Sequence, residues 1–96
     1  MLGFRFTNQF KKDLKVLEKR RYDVEELFDI VIKIIWEEPL PEHCDEHMLS
    51  GNYSGFTECH IKNDWLMIYY FCDEGVVFTR TIQTCFNPSK IVPCTK

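Results

Sequence analysis

The stretch Cys59-His60-Ile61-Lys62-Asn63-Asp64-Trp65 sets an imidazole, an ammonium, a carboxylate and an indole close together, and a second imidazole, His47, precedes it. Histidine is the side chain best suited to moving protons near neutral pH, and a neighbouring carboxylate can orient the ring or favour its charged form. Two histidines and an aspartate therefore suit a reaction in which one group removes a proton and another supplies one. Cleavage of RNA by its own 2′-hydroxyl is such a reaction. It needs a base for that hydroxyl, an acid for the leaving 5′-oxygen and cations for the phosphate, with no metal or cofactor. His47, His60 and Asp64 are the candidate acid–base groups. Lys62 and Arg80 are candidate phosphate ligands, and Trp65 and Tyr53 offer rings on which an unpaired base could stack.

Each of these residues also has a structural use. A half-buried histidine usually just finds a hydrogen-bond partner, Asp64 suits a turn, Trp65 suits a core, and Arg80 could pair with Glu58 across a sheet. His43, Cys44, His47, Cys59 and His60 match no established zinc-ligand spacing.

The elements that must hold these groups are read from periodicity. Trp65 to Phe71 is an uninterrupted apolar run, too short for a core helix and rich in aromatics, and is predicted to be a strand buried on both faces at the centre of a sheet. Phe56 to Ile61 reads as the strand before it, Asn63-Asp64 as the turn between them, and Val76 to Thr81 as the strand after, across a turn at Cys72 to Gly75. Leu2 to Thr7 alternates as a short strand. Thr7 or Asn8 then caps a helix through about Arg20, and Asp23 opens a second helix that runs to about Glu37 before Pro39. Pro39 to His47 reads as a loop. The order strand, helix, helix, three strands predicts an α+β domain with both helices on one face of a mainly antiparallel sheet.

Ninety-six residues, 45% apolar and 15% aromatic, make one compact domain rather than a disordered chain. No apolar run approaches the roughly 20 residues that span a bilayer. The opening residues lack the pattern of a signal peptide, so a cytoplasmic location with no membrane partner is expected. Five cysteines without Cys-x-x-Cys spacing argue against a disulfide framework. The net charge of −3 does not mark a nucleic-acid binder, but Lys11, Lys12, Lys15, Lys19, Arg20 and Arg21 concentrate basic charge near the start.

His47-Met-Leu-Ser-Gly51, Tyr53-Ser-Gly55, Glu58-Cys-His60, Asp64-Trp-Leu-Met-Ile-Tyr69 and Arg80-Thr81, with Phe10-Lys-Lys-Asp-Leu-Lys15 and Pro39-Leu-Pro41, together resemble the bacterial RelE/ParE toxin superfamily and, within it, the YafQ branch. The resemblance covers about residues 1–81 and implies a RelE-like fold. It also implies a ribosome-dependent mRNA endonuclease held inactive by a DinJ/RelB-like antitoxin that lies over the basic helix and sheet. Operator DNA is then a partner only through the antitoxin complex. His47, His60 and Asp64 match the family's catalytic histidines and aspartate, with His47 assisting deprotonation of the 2′-hydroxyl. Two other readings compete: a binding member without catalysis, and a ParE-type gyrase inhibitor, against which the His47, His60 and Asp64 set argues.

The ending departs from the pattern. YafQ-like chains continue after Arg-Thr with Gly-Ser/Thr-His and a short Leu-Phe ending, that histidine being the expected general acid. Here Thr84 takes its place by count, and no histidine follows His60. Residues 82–96 show neither helical nor strand period and are expected to form an irregular tail. The codons of Ile82 to Asn87, read one nucleotide earlier, permit His, Thr or Ser, Asp, Leu, Phe and a stop. The sequence from about residue 82 is therefore expected to be out of frame and the chain weakened or inactive as a nuclease.

Overall fold

The computed structural model describes residues 1–51 and 54–83. Two helices lie on one face of a five-stranded sheet of order β1-β5-β4-β3-β2, in which β1 and β5 run parallel and all other neighbours antiparallel. Strand β1 is Phe4–Phe6, β2 His47–Met48, β3 Thr57–Lys62, β4 Trp65–Cys72 and β5 Gly75–Gln83. Helix α1 is Asn8–Lys19, α2 is Val24–Ile35, and Glu42–Cys44 forms one 3-10 turn. None of the described helices is long and apolar enough to cross a membrane.

Side-chain caps define where the helices begin. Thr7, in extended conformation, accepts the amide of Phe10, and Asp23 accepts that of Glu25, each satisfying a first-turn donor that has no intrahelical partner. One stripe of α1, Phe10, Asp13 and Leu17, turns inward while its lysines stay in water. Helix α2 buries Leu27, Ile30, Val31, Ile34 and Ile35 and leaves Ile32 and Trp36 half exposed.

Strand β4 lies at the centre of the sheet, and Trp65 to Tyr69 is buried without a break. Trp65, Met67 and Tyr69 join the helix-side core with Phe10, Leu27, Val31 and Phe78. Leu66 and Ile68 point the other way and meet Leu49, Phe56 and Ile82 in a smaller cluster on the helix-free face. From Trp65 to Tyr69 the strand is apolar because both of its faces are covered, whereas Phe71 and Cys72 at its end are exposed.

Strand β5 contains a bulge. Ile68 faces Arg80 while Tyr69 faces Phe78, so Thr79 has no opposite number, and its hydroxyl donates to the carbonyl of Ile68 at 2.9 Å. The extra residue reverses the alternation: Phe78 belongs to the helix side, whereas Arg80 and Ile82 fall opposite Ile68 and Leu66 on the helix-free side. At the start of the same strand, Gly75 (φ 137°) passes so close to β1 that an added Cβ would sit 2.0 Å from the carbonyl oxygen of Gly3. No other residue fits there without moving β1.

Two sequence expectations need correction. His47–Met48 is not loop but a two-residue edge strand paired with β3, which its proline-rich, charged surroundings concealed. Strand β5 also continues through Ile82 and Gln83, beyond the expected end at Thr81, because pairing with Trp65 and Leu66 holds it in place. The rest of the expected tail, 84–96, lies outside the described residues.

Candidate active site

The helix-free face gathers the histidines. His47 stands directly opposite Glu58 in the β2–β3 pairing, and its Nε2 lies 3.0 Å from Glu58 Oε1. Its Nδ1 lies 2.8 Å from the carbonyl oxygen of Asp45. Both ring nitrogens thus face acceptors, and only the doubly protonated ring donates to both.

His60 lies two residues beyond Glu58 on β3, roughly 6.6 Å along the strand and on the same face. It stands opposite Leu66, which in turn stands opposite Ile82, so His60, Leu66 and Ile82 form one row across three strands. The ring is half-buried and has no hydrogen-bond partner among the described residues. The third histidine, His43, is committed elsewhere: its Nε2 lies 3.1 Å from the carbonyl of Ile61, covering the edge of β3 that the short β2 leaves open. Among the described residues no group of three metal-ligating side chains converges.

Asp64 does not join the histidines. Its Oδ2 accepts the hydroxyl of Tyr22 at 2.9 Å, and Tyr22 packs edge-on against Trp65 with the helix-side core. The carboxylate therefore ties the β3–β4 turn to the connection between the helices. Trp65 is fully buried and donates its indole N–H to Thr81 at 2.7 Å. It has no face left for a base to stack on, so the expectation of a stacking platform there is corrected: the indole is core. Tyr53 lies outside the described residues.

The expected phosphate ligands are both held by carboxylates. Lys62 pairs with Glu26 at 3.1 Å, both half exposed, a contact of the kind worth little and readily exchanged. Arg80 is different. Beyond Phe78, β5 has no strand on its outer side among the described residues, and Arg80 reaches round that edge to α1, where Nε and Nη2 donate to Asp13 at 2.7 and 3.2 Å. Asp13 also accepts the amide of Thr81 and the side chain of Gln9, both at 3.2 Å. The pair is almost wholly buried and locks helix to strand.

Sequence reasoning missed Glu58 as the partner of His47 and Asp13 as the partner of Arg80. Asp13 carried a signal: it is an acid on the apolar stripe of α1, between Phe10 and Leu17, where an unpaired carboxylate would be costly.

Beneath β2, Tyr69 donates its hydroxyl to Glu46 beside the buried thiols of Cys44 and Cys59. Burial, reinforced by neighbouring ionisable groups, raises the pKa of Tyr69, Cys59 and Cys44 alike. A raised pKa in the folded state supplies stability that is complete below the unfolded value and fades as pH climbs past it. In the unfolded chain those values are about 8.5 for a thiol and about 10 for a phenol. The urea midpoint should accordingly hold steady to about pH 8 and decline above about pH 9. Alkylation followed by peptide mass analysis should label exposed Cys72 well before Cys44 or Cys59.

Residues 2–84 match the family described as bacterial toxin of type II toxin-antitoxin system, YafQ. The mRNA interferase toxin YafQ of Escherichia coli K12 is 32% identical over 77 residues, covering 79% of this chain and 84% of that protein. The crystal structure of YafQ from E. coli BL21(DE3) superposes with a TM-score of 0.81 at 29% identity, over 88% of this chain and 96% of that one. The toxin chain of the E. coli DinJ-YafQ toxin-antitoxin complex gives a TM-score of 0.79 at 29% identity, over 88% and 93%.

Proposed function

Since the chain belongs to the YafQ family of bacterial type II toxin-antitoxin toxins, we propose that its helix-free face is the site of a ribosome-dependent mRNA endoribonuclease. The observation that carries this reading is the alignment of the His47–Glu58 pair with His60 along one strand and one face. In the reaction the RNA 2′-hydroxyl attacks the adjacent phosphorus. Its proton passes to His47, the bond from phosphorus to the 5′-oxygen breaks, and that oxygen takes up a proton, leaving a 2′,3′-cyclic phosphate and a 5′-hydroxyl. Glu58 orients His47 and stabilises the imidazolium that forms, as a buried carboxylate does for a catalytic imidazole elsewhere.

His60 supplies the second imidazole. Asp64 acts at one remove, fixing the end of the hairpin through Tyr22. Lys62 can exchange Glu26 for a phosphate, whereas Arg80 serves chiefly to hold β5 against α1. With threonine in the place of the family's last histidine, no strong proton donor remains for the leaving oxygen beyond His60 and water, and cleavage by this chain is weak. The partner that restrains the protein is a DinJ-like antitoxin, and operator DNA is bound through that complex.

Primer extension on an mRNA under translation tests the reading, with this chain and with one whose Thr84–Pro88 is replaced by His-Thr-Asp-Leu-Phe. His60→Ala lowers cleavage by about 10²-fold in the active background. Cleavage undiminished by His60→Ala would reject the site. Absence of cleavage from both parent chains would favour a binding member without catalysis.

A further inference from the structure

Near the proposed site, Lys62 and Arg80 are each matched by a carboxylate. Arg20 is not. It closes the C-terminus of α1, is exposed, and donates Nη1 to the neutral side-chain oxygen of Gln83 at 2.7 Å; it forms no ion pair among the described residues. One bond to an amide positions the guanidinium without cancelling its charge and leaves further N–H donors, in the planar fork that suits phosphate oxygens.

Arg20 lines a cleft of about 240 Å³ between α1 and the outer edge of β5, with Asp13, Val16, Arg80, Ile82 and Gln83. Residues three and four apart are neighbours on a helix, so Lys12 and Lys19 flank half-exposed Val16 at the rim. Neither lysine forms an ion pair among the described residues. At its other end the cleft reaches Ile82, which shares a row with Leu66 and His60. Two strand spacings of about 4.8 Å put Ile82 roughly 10 Å from His60. A strand of RNA lying at the imidazoles can therefore continue over Leu66 and Ile82 and arrive at this cleft.

We infer that the cleft binds a backbone phosphate of the RNA strand beside the scissile one, with Arg20 as its principal ligand and Lys12 and Lys19 at the rim. The inference rests on the ribonuclease reading above and adds to it where the strand leaves the imidazoles. Arg20 positions substrate and takes no part in proton transfer.

The test uses the full chain carrying His60→Ala, so that RNA is not consumed, and a short unstructured fluorescent RNA titrated between 50 and 200 mM salt. Each phosphate contact on a single strand contributes about 0.7 to the slope of log affinity against log salt, so Arg20→Gln should flatten that slope by about 0.7. Arg20→Lys should keep most of it, since the charge remains. Because the side chain is exposed, the thermal midpoint should be unchanged, which separates lost contact from lost fold. An equal slope for Arg20→Gln and its parent would overturn the inference, as would absence of RNA binding by the parent. In either case the primer-extension assay still decides the nuclease reading on its own.

Discussion

Replacing Thr84–Pro88 with His-Thr-Asp-Leu-Phe, and ending the chain there, is expected to raise cleavage of translated mRNA by about 10²- to 10⁴-fold, the range that a positioned general acid contributes. The 5′-oxygen is a poor leaving group unless it receives a proton as the bond breaks. Threonine has none to give near neutral pH. Strand β5 is already directed to the proper place, because Ile82 shares a row with His60 on the face where His47 and Glu58 meet. The replacement supplies the missing proton donor and leaves the described framework untouched. The measurement is the initial rate of cleavage at one mapped position, with protein quantified so that better expression is not mistaken for catalysis. A rise of less than about tenfold would overturn the proposal that a missing acid weakens this chain. The gene bears on the same point: codons in the earlier frame that do not spell His-Thr/Ser-Asp-Leu-Phe-stop would dispose of the frameshift.

Asp13→Ala is expected to cost about 3–5 kcal/mol, the range for removing one partner of a buried ion pair. Its carboxylate receives two N–H groups of Arg80, the amide of Thr81 and the amide of Gln9. Its loss removes the ion partner of a largely buried guanidinium and the acceptor of a buried backbone donor at the seam between α1 and β5. Urea denaturation reads the loss as a lower midpoint with the slope preserved. Asp13→Ala combined with Arg80→Met should recover a good part of it, because the buried charge that lost its ion partner is then gone. A cost under about 1 kcal/mol for the single change would mean that the pair behaves like a surface contact.

The framework was legible where one physical term dominated. The run Trp65 to Phe71 reads as a strand covered on both sides, which holds from Trp65 to Tyr69 but not at half-exposed Phe71, and Thr7 and Asp23 mark the helix starts because their side chains satisfy amides that the helix cannot. The strand His47–Met48 was hidden, since two residues are too few to show a period and register with β3 alone defines them. For the site, His60 and Glu58 share a face of β3, but local spacing could not foretell that His47 would be brought to Glu58 by a separate strand. Nor could it foretell that Asp64 would be captured by Tyr22, more than forty positions earlier. Trp65 misled because composition does not distinguish an aromatic that waits for a ligand from one that fills a core.

Beyond the bulge at Thr79 the side chains of the last strand alternate between the two faces again. Losing a single codon at Arg80 or Thr81 would swap inside for outside at the positions that follow, sending Ile82 toward the helices and Gln83 away from them, whereas losing Thr79 would remove the extra residue and leave Arg80 opposite Ile68. A change of two codons beyond the bulge would preserve the phase. In a library of deletions across this segment, survivors that keep a folded sheet should therefore be concentrated among even-length losses that spare Thr79 and odd-length losses that include it.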